Sequence, residues 1–368
     1  MFEFKSFGEQ VSKNAEKEMH IEQEHAKKQI SEALDFYYIS PDKRKWLLEL
    51  EQKENLSQSD IDEVKEFNIV AREATESHLE QIGMTVELNK FFFQAIQDGD
   101  KRIIDNIVAI SEQEISRREA LPTTVSKYAC FDLDEDGCIE SYHPERDLER
   151  AELHNSIIES FFDEVESVEM SEILIVGGLP GAGKSTSVNM MKKESNNMVV
   201  IDPDIIKPKL MENFDEENSK HVLAAHEESS WLAKRLFAEA RQRNVNIVYD
   251  GMFSNTEKFR KIMNDALEDD YKTSLIFVHG GAESWRRNTL LRPRALTPKI
   301  YKEGLKGYKT LQELINHPAL NNVIITDNSS RDSVDAKIIF DSNEDILEDF
   351  ESLYKRYPEF QKFLNLVD

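Results

Sequence analysis

At 368 residues the chain is long enough for about two domains, each with a packed core. It carries 71 Asp and Glu against 46 Lys and Arg, a formal net charge of −25, and an acidic surface of that kind repels phosphate backbones and argues against a nucleic-acid partner. No apolar run approaches the roughly 18 residues of a membrane span, and Met1-Phe2-Glu3-Phe4-Lys5 does not start a signal peptide. Two cysteines, Cys130 and Cys138, make no disulfide framework and read as reduced thiols, so the expected setting is the cytoplasm, away from a membrane.

The first 120 residues are rich in Glu, Lys, Gln and Ala, with apolar residues at helical spacing. Phe7, Val11 and Ala15 begin one stripe. Ser40-Pro41 places an N-cap before a proline at the first helical position, opening a helix through Trp46, Leu47 and Leu50. Ser59 is the expected cap of a longer helix carrying Ile61, Val64, Phe67 and Val70, and residues 88–96 and 103–115 repeat the pattern. Phe91-Phe92-Phe93 reads as core or as a face between domains. No heptad persists for three repeats, so the region is all-α without being a coiled coil.

A short strand-like stretch at 128–131 leads into Asp132-Leu133-Asp134-Glu135-Asp136-Gly137-Cys138-Ile139. The first half of this run copies a calcium loop, but His143 stands where a bidentate Glu is required. A hairpin turning at Asp136-Gly137 explains the same residues more simply. A helix follows, with Leu153, Ile157, Ile158, Phe161 and Phe162 on one side.

Gly178-Leu179-Pro180-Gly181-Ala182-Gly183-Lys184-Ser185 is a complete G-x-x-x-x-G-K-[ST] loop. An apolar strand, 173–176, enters it, and a helix beginning at Thr186 leaves it. Glycines let successive N–H groups turn inward around an anionic oxygen, and the helix N-terminus adds partial positive charge. Lys184 is placed to reach the β- and γ-phosphates of a nucleotide, and the Ser185 hydroxyl to complete a Mg²⁺ shell. The expected cofactors are ATP and Mg²⁺.

From there strands and helices alternate, which reads as a parallel sheet with helices on both faces. The expected strands are 173–176, 198–201, 246–249, 274–278 and 323–326, with 337–340 as a candidate edge. Ligands in such sheets sit beyond the carboxyl ends of the strands, where the chemically loaded residues fall. Asp204, in an Ile-Asp-Pro-Asp turn, is the candidate base; Asp202 is the candidate metal ligand or helix cap; Asp250 ends the third strand. Arg286, Arg287, Arg292 and Arg294 crowd the segment after the fourth strand and suit a lid over a triphosphate. Glu227 and Glu228 open a helix, as acceptor-binding acids or as acids favoured at a helix start.

Residues 178–186, Val199-Val200-Ile201-Asp202-Pro203-Asp204, 246–251, and Arg294 leading to Thr297-Pro298-Lys299 resemble the zeta-toxin group of P-loop kinases. The resemblance covers roughly 150–345. It implies a kinase-like fold and transfer of the γ-phosphoryl of ATP to a hydroxyl of a small-molecule acceptor, in the family the sugar of UDP-N-acetylglucosamine. It puts the catalytic aspartate on Asp204, a substrate-binding acid on Asp250, and lid arginines on Arg294 and on Arg287 or a neighbour. Met252 and Ser254 replace the family's threonine and arginine, and Lys207-Pro208 stands near its missing His-Pro. In the family these positions touch the acceptor rather than ATP, so the resemblance leaves open another acceptor, such as a different nucleotide sugar, a dinucleotide or a nucleic-acid end. The expected division is a helical domain, 1–127, a hairpin with a connecting helix, 128–165, and a P-loop kinase domain, 166–368. The helical domain suits a restraint in cis, like the helical antitoxins that cover zeta kinases in trans, or a domain for substrate choice or oligomer contact. Two other readings are a polynucleotide or RNA-end kinase, against which the net charge argues, and a nucleotide-driven switch, which leaves the arginines and Asp204 without a role.

Overall fold

The computed structural model describes residues 2–117, 129–135, 138–185, 188, 197–212, 219–282, 285–286, 296–329, 337–343, 353 and 355–367. Five helices come first: α1 (Phe2–Phe36), α2 (Pro41–Glu51), α3 (Gln58–Glu80), α4 (Val86–Asp98) and α5 (Lys101–Arg117). Ser40 caps α2 as its sequence implies, with Pro41 at the first position. The cap of α3 is Ser57 rather than Ser59. Its hydroxyl accepts from Asp60 N at 3.2 Å while the Asp60 carboxylate accepts from Ser57 N at 2.9 Å, a reciprocal pair that satisfies two orphan amides. Ile61 and Val64 are buried, but Val70, expected on the same stripe, faces solvent. The side chains of Phe7, Val11 and Ala15 lie outside the described part. Within the aromatic triplet Phe92 and Phe93 are buried and Phe91 is exposed. The buried pair meets Tyr301 at 5.7 and 5.1 Å between ring centroids, and Phe93 meets Trp285 at 6.1 Å.

Strands β1 (Phe131–Leu133) and β2 (Ile139–Tyr142) pair antiparallel, as a hairpin requires; its turn, Asp136-Gly137, lies outside the described residues. Asp132 is held by side chains of the second strand and of the turn after it. Its carboxylate accepts from Arg146 at 2.7 Å and Ser141 at 2.9 Å and pairs with His143 at 2.8 Å. The hydrogen bonds from Arg146 and Ser141 hold it down at about 2. Among the described residues no three His, Cys, Asp or Glu side chains converge on a metal position. Cys130 is buried, Cys138 is exposed, and no disulfide joins them.

Helix α6 (Leu148–Glu159) leads into a six-stranded sheet built from β3 (Glu172–Gly178), β4 (Val199–Ile201), β5 (Ile247–Asp250), β6 (Lys272–His279), β7 (Leu320–Asp327) and β8 (Lys337–Asp341). The spatial order is β4-β5-β3-β6-β7-β8, parallel except for the antiparallel edge strand β8. Alternate residues explain why both faces are covered. Ile173, Ile175, Val199, Ile201 and Tyr249 face one apolar cluster, whereas Val176, Val200 and Val248 face another. The helices between and after the strands are α7 (Pro203–Leu210), α8 (Ser219–Ala224), α9 (His226–Gln242), α10 (Thr256–Glu268), α11 (Pro298–Leu314) and α12 (Pro358–Val367). The larger apolar cluster runs without a break from α1 to α5 into the sheet and its helices. No described helix is long and apolar enough to cross a membrane. The architecture is thus the α/β class read from the sequence: a mostly parallel sheet flanked by helices, preceded by a helical N-terminal region.

Candidate active site

Strand β3 lies at the centre of the sheet and delivers the glycine-rich loop at its carboxyl end. Gly178, Gly181 and Gly183 have φ of 145°, 81° and 97°, which side-chain-bearing residues rarely adopt. Space imposes the same choice at Gly178, where a Cβ would meet the Val278 carbonyl oxygen at 2.4 Å. Ala182 N donates to Leu179 O at 3.1 Å, and the Asn328 amide, just past β7, donates to Ala182 O at 2.7 Å. Asn328 therefore braces the loop from a neighbouring strand end. Sequence reasoning missed it, because nothing local links position 328 to 182. Lys184 lies back along the loop, its Nζ donating to the Gly178 and Leu179 carbonyls at 3.0 Å each. Ser185 is exposed beside it. Thr186, most of the helix expected to follow the loop, and Arg287, Arg292 and Arg294 lie outside the described residues.

Three acids reach the same end of the sheet. Asp202 follows β4 and caps α7, accepting from Asp204 N at 2.8 Å. Burial raises its carboxyl above the ordinary range, and the neighbouring Asp204 charge adds to this, against Lys207 and Lys184. Asp204 is largely exposed, its Oδ1 accepting from Lys207 one turn further along α7. Asp250 pairs in register with Val176 of β3, and the next amide, Gly251 N, donates to Val176 O at 3.1 Å. Burial pushes the Asp250 carboxyl up to about 6; Asp202 and Asp204 push the same way and Lys184 opposes them. Lys184 and Lys207 thus share a field with three carboxylates, and two of those carboxyls are shifted by burial, the pattern expected where charge is handled during reaction.

Asp250 carries a pH prediction. Its folded value of about 6 lies above the ordinary 3.8. The protonated form therefore contributes stability that is fully present below 3.8 and lost as pH rises through 6. Asp250→Asn removes that loss. Urea unfolding without nucleotide should find the variant more stable than the parent at pH 8, by on the order of 3 kcal/mol, and equal to it near pH 4. Equal curves at pH 8 would show that Asp250 is solvated.

The other expected residues separate. Glu227 is half-exposed on the first turn of α9. Glu228, expected to bind the acceptor, is instead fully buried. Arg150 of α6 donates to both its oxygens at 2.7 Å, and His154 Nε2 donates to Oε1 at 2.7 Å. Burial acts to raise its carboxyl, but the bonds from His154 and Arg150 outweigh this and hold it low. Fully buried and turned onto two internal partners, this carboxylate serves the fold rather than an acceptor in solvent. Arg150 also donates to Leu210 O, at the end of α7, at 3.0 Å. Arg286, one of the crowded arginines, turns towards the N-terminal helices. Its Nε donates to Asp35 O at 2.8 Å, and its guanidinium lies 3.9 Å from the Phe36 ring centroid.

Residues 159–306 match the family described as Zeta toxin. Comparison with curated proteins gives no match. Among solved structures, a chain from the PezAT chromosomal toxin–antitoxin system of Streptococcus pneumoniae is 18% identical with a TM-score of 0.43, over 60% of this chain and 96% of that one. A chain of AvrRxo1-ORF1:-ORF2 with ATP is 18% identical with a TM-score of 0.45, over 60% of this chain and 74% of that one. Matched across its loop, acids and first four sheet strands in chain order, the C-terminal part of this chain is zeta-toxin-like.

Proposed function

We propose that the protein is an ATP-dependent phosphotransferase of zeta-toxin type that moves the γ-phosphoryl group to a hydroxyl of a small molecule. The observation that carries this reading is the convergence of Lys184, Asp202, Asp204 and Asp250 beyond the carboxyl ends of three adjacent strands, beside a complete phosphate loop. The match of residues 159–306 to the zeta toxins supports an enzyme of the kinase class. The loop fits a triphosphate: its strained glycines leave room only for backbone, and the lysine lies along its rim. The donor set also fits magnesium, which favours hard oxygens and keeps several waters, with the Ser185 hydroxyl and Asp202 as the residues that would hold it. When bound, magnesium neutralises phosphate charge.

In this reading Lys184 stabilises the charge that develops on the transferred group. Asp204 accepts the proton of the acceptor hydroxyl as its oxygen bonds to phosphorus, while the bond to the bridging oxygen breaks and ADP leaves. Asp250 and Glu227 face the acceptor, and Arg287 and Arg294 serve the triphosphate. The acceptor is a nucleotide derivative, with UDP-N-acetylglucosamine the first to test, and the enzyme works in the cytoplasm. Incubation with γ-labelled ATP, magnesium and a cell metabolite extract should yield a labelled small molecule, identified by mass. Label found only as inorganic phosphate would support a nucleotide-driven switch instead.

The N-terminal helices fit a restraint in cis, the built-in counterpart of a helical antitoxin. They pack on Trp285 and Tyr301, which flank the arginine-rich segment in the chain, and on Arg286, its first member. Ion pairs Lys299–Glu112 and Lys302–Asp105, both 2.8 Å, extend the contact along α11.

A further inference from the structure

The kinase reading leaves one buried charge at the site unused. Lys207 is on α7, one turn after Asp204, its side chain 6% exposed where that of Asp204 is 58% exposed. Its Nζ donates to Asp204 Oδ1. A desolvated ammonium is costly to hold, and a pair of residues three apart on a helix with one partner in solvent returns little stability. The arrangement therefore needs a reason other than stability.

The backbone supplies one. Pro208 lies inside α7 and has no amide hydrogen, so the carbonyl of Asp204, four residues earlier, loses its helical donor. The helix carrying the candidate base is thus short of one internal hydrogen bond. Its ends are pinned: Asp202 caps the start, and Arg150, fixed on buried Glu228, holds the Leu210 carbonyl at the finish. Between these pins the Asp204 side chain is largely exposed, and the buried Lys207 ammonium grips its Oδ1.

Resting on the kinase reading above, we propose that Lys207 is a positioning residue for phosphoryl transfer: it fixes Asp204 through Oδ1 so that the second carboxylate oxygen, Oδ2, meets the acceptor hydroxyl. Lys207 touches neither the nucleotide nor the reacting atoms in this assignment. It acts through Asp204, and its loss moves turnover rather than ATP binding.

The test is a double-mutant cycle on the full chain with ATP, magnesium and a cell metabolite extract as the acceptor source. Lys207→Met should lower kcat about 30-fold and leave the KM for ATP and the affinity for a fluorescent ATP analogue within about twofold. In an Asp204→Asn background the same change should have no further effect, because the two residues work as one unit. Lys209→Ala, on the same helix but directed at Ser160, should leave kcat unchanged. A Lys207→Met enzyme with parental kcat, or one whose loss multiplies with that of Asp204→Asn, overturns the assignment. Should Lys207→Met lose its cooperative melt, the cycle is repeated with Lys207→Arg and Lys207→Gln. Retention of kcat by Arg and loss by Gln then supports positioning, while equal kcat in the two, or unfolding of both, assigns Lys207 to the fold and overturns it. Lys184→Ala separates the two levels. Turnover that survives it removes the kinase reading itself, whereas turnover lost there and in Asp204→Asn but kept in Lys207→Met removes only the role of Lys207.

Discussion

Lys184→Ala is expected to reduce phosphoryl transfer by about 10³-fold or more and to weaken ATP binding strongly, because the transferred group loses the cation that follows it through the transition state. The fold should survive. The Lys184 ammonium donates to two loop carbonyls, Gly178 O and Leu179 O, at a partly exposed position, and the loop keeps its brace from Asn328 to Ala182. A second, independent readout follows from electrostatics. Lys184 opposes the upward shift of both Asp202 and Asp250, so its removal should raise the Asp250 carboxyl further above 6 and move the pH-dependent loss of stability to higher pH. Turnover at the parental rate would break the link between the phosphate loop and the chemistry. A pH profile of stability that does not move would mean that the lysine and the acid are screened from each other by water.

Much of this frame is legible in the sequence because it is encoded locally. The strands expected at 173–176, 198–201, 246–249, 274–278 and 323–326 fall on β3 to β7, whose observed ends differ by up to three residues, and 337–340 falls on the edge strand β8. Apolar β-branched runs bounded by polar turns leave little choice about such segments. The phosphate loop is readable for the same reason, since eight consecutive residues carry all of its geometry. The misread residues depend on partners distant in the chain. Glu228 looks like an accessible acid at a helix start until Arg150, 78 positions earlier, is found across from it. Asn328 is an ordinary residue after a strand until the Ala182 carbonyl is found 146 positions away. Lys207 is near enough to Asp204 in sequence to be noticed, but its burial is a property of packing that charge patterning does not carry. Arg286 shows the limit of composition arguments. It belongs to a cluster whose density suggested phosphate binding, yet its own guanidinium lies against Phe36 and the Asp35 carbonyl.

The second large effect is expected at the junction of the helical region with α11. Phe93 is 1% exposed, and Trp285 beside it is fully buried. The ring of Phe93 meets Trp285, Tyr301 and Phe92 edge-on, with centroids 6.1, 5.1 and 5.5 Å away. Such edge-on groups add to simple area burial, and truncating a phenylalanine in that setting leaves a cavity the neighbours cannot fill. Phe93→Ala should therefore cost about 3–5 kcal/mol of stability, read from a denaturant melt of the full chain. Deleting residues 1–127 outright is a harsher change, since it bares Trp285 and Tyr301 together, and the expected product is an aggregating protein. The point variant is the informative one, because it loosens the junction without exposing it. Restraint in cis predicts that Phe93→Ala, assayed well below its melting temperature, turns over ATP faster than the parent and inhibits growth more strongly when expressed, with both gains removed by adding Lys184→Ala. A folded Phe93→Ala protein with slower turnover would instead make the helices part of the working enzyme, holding α11 against the site rather than restraining it.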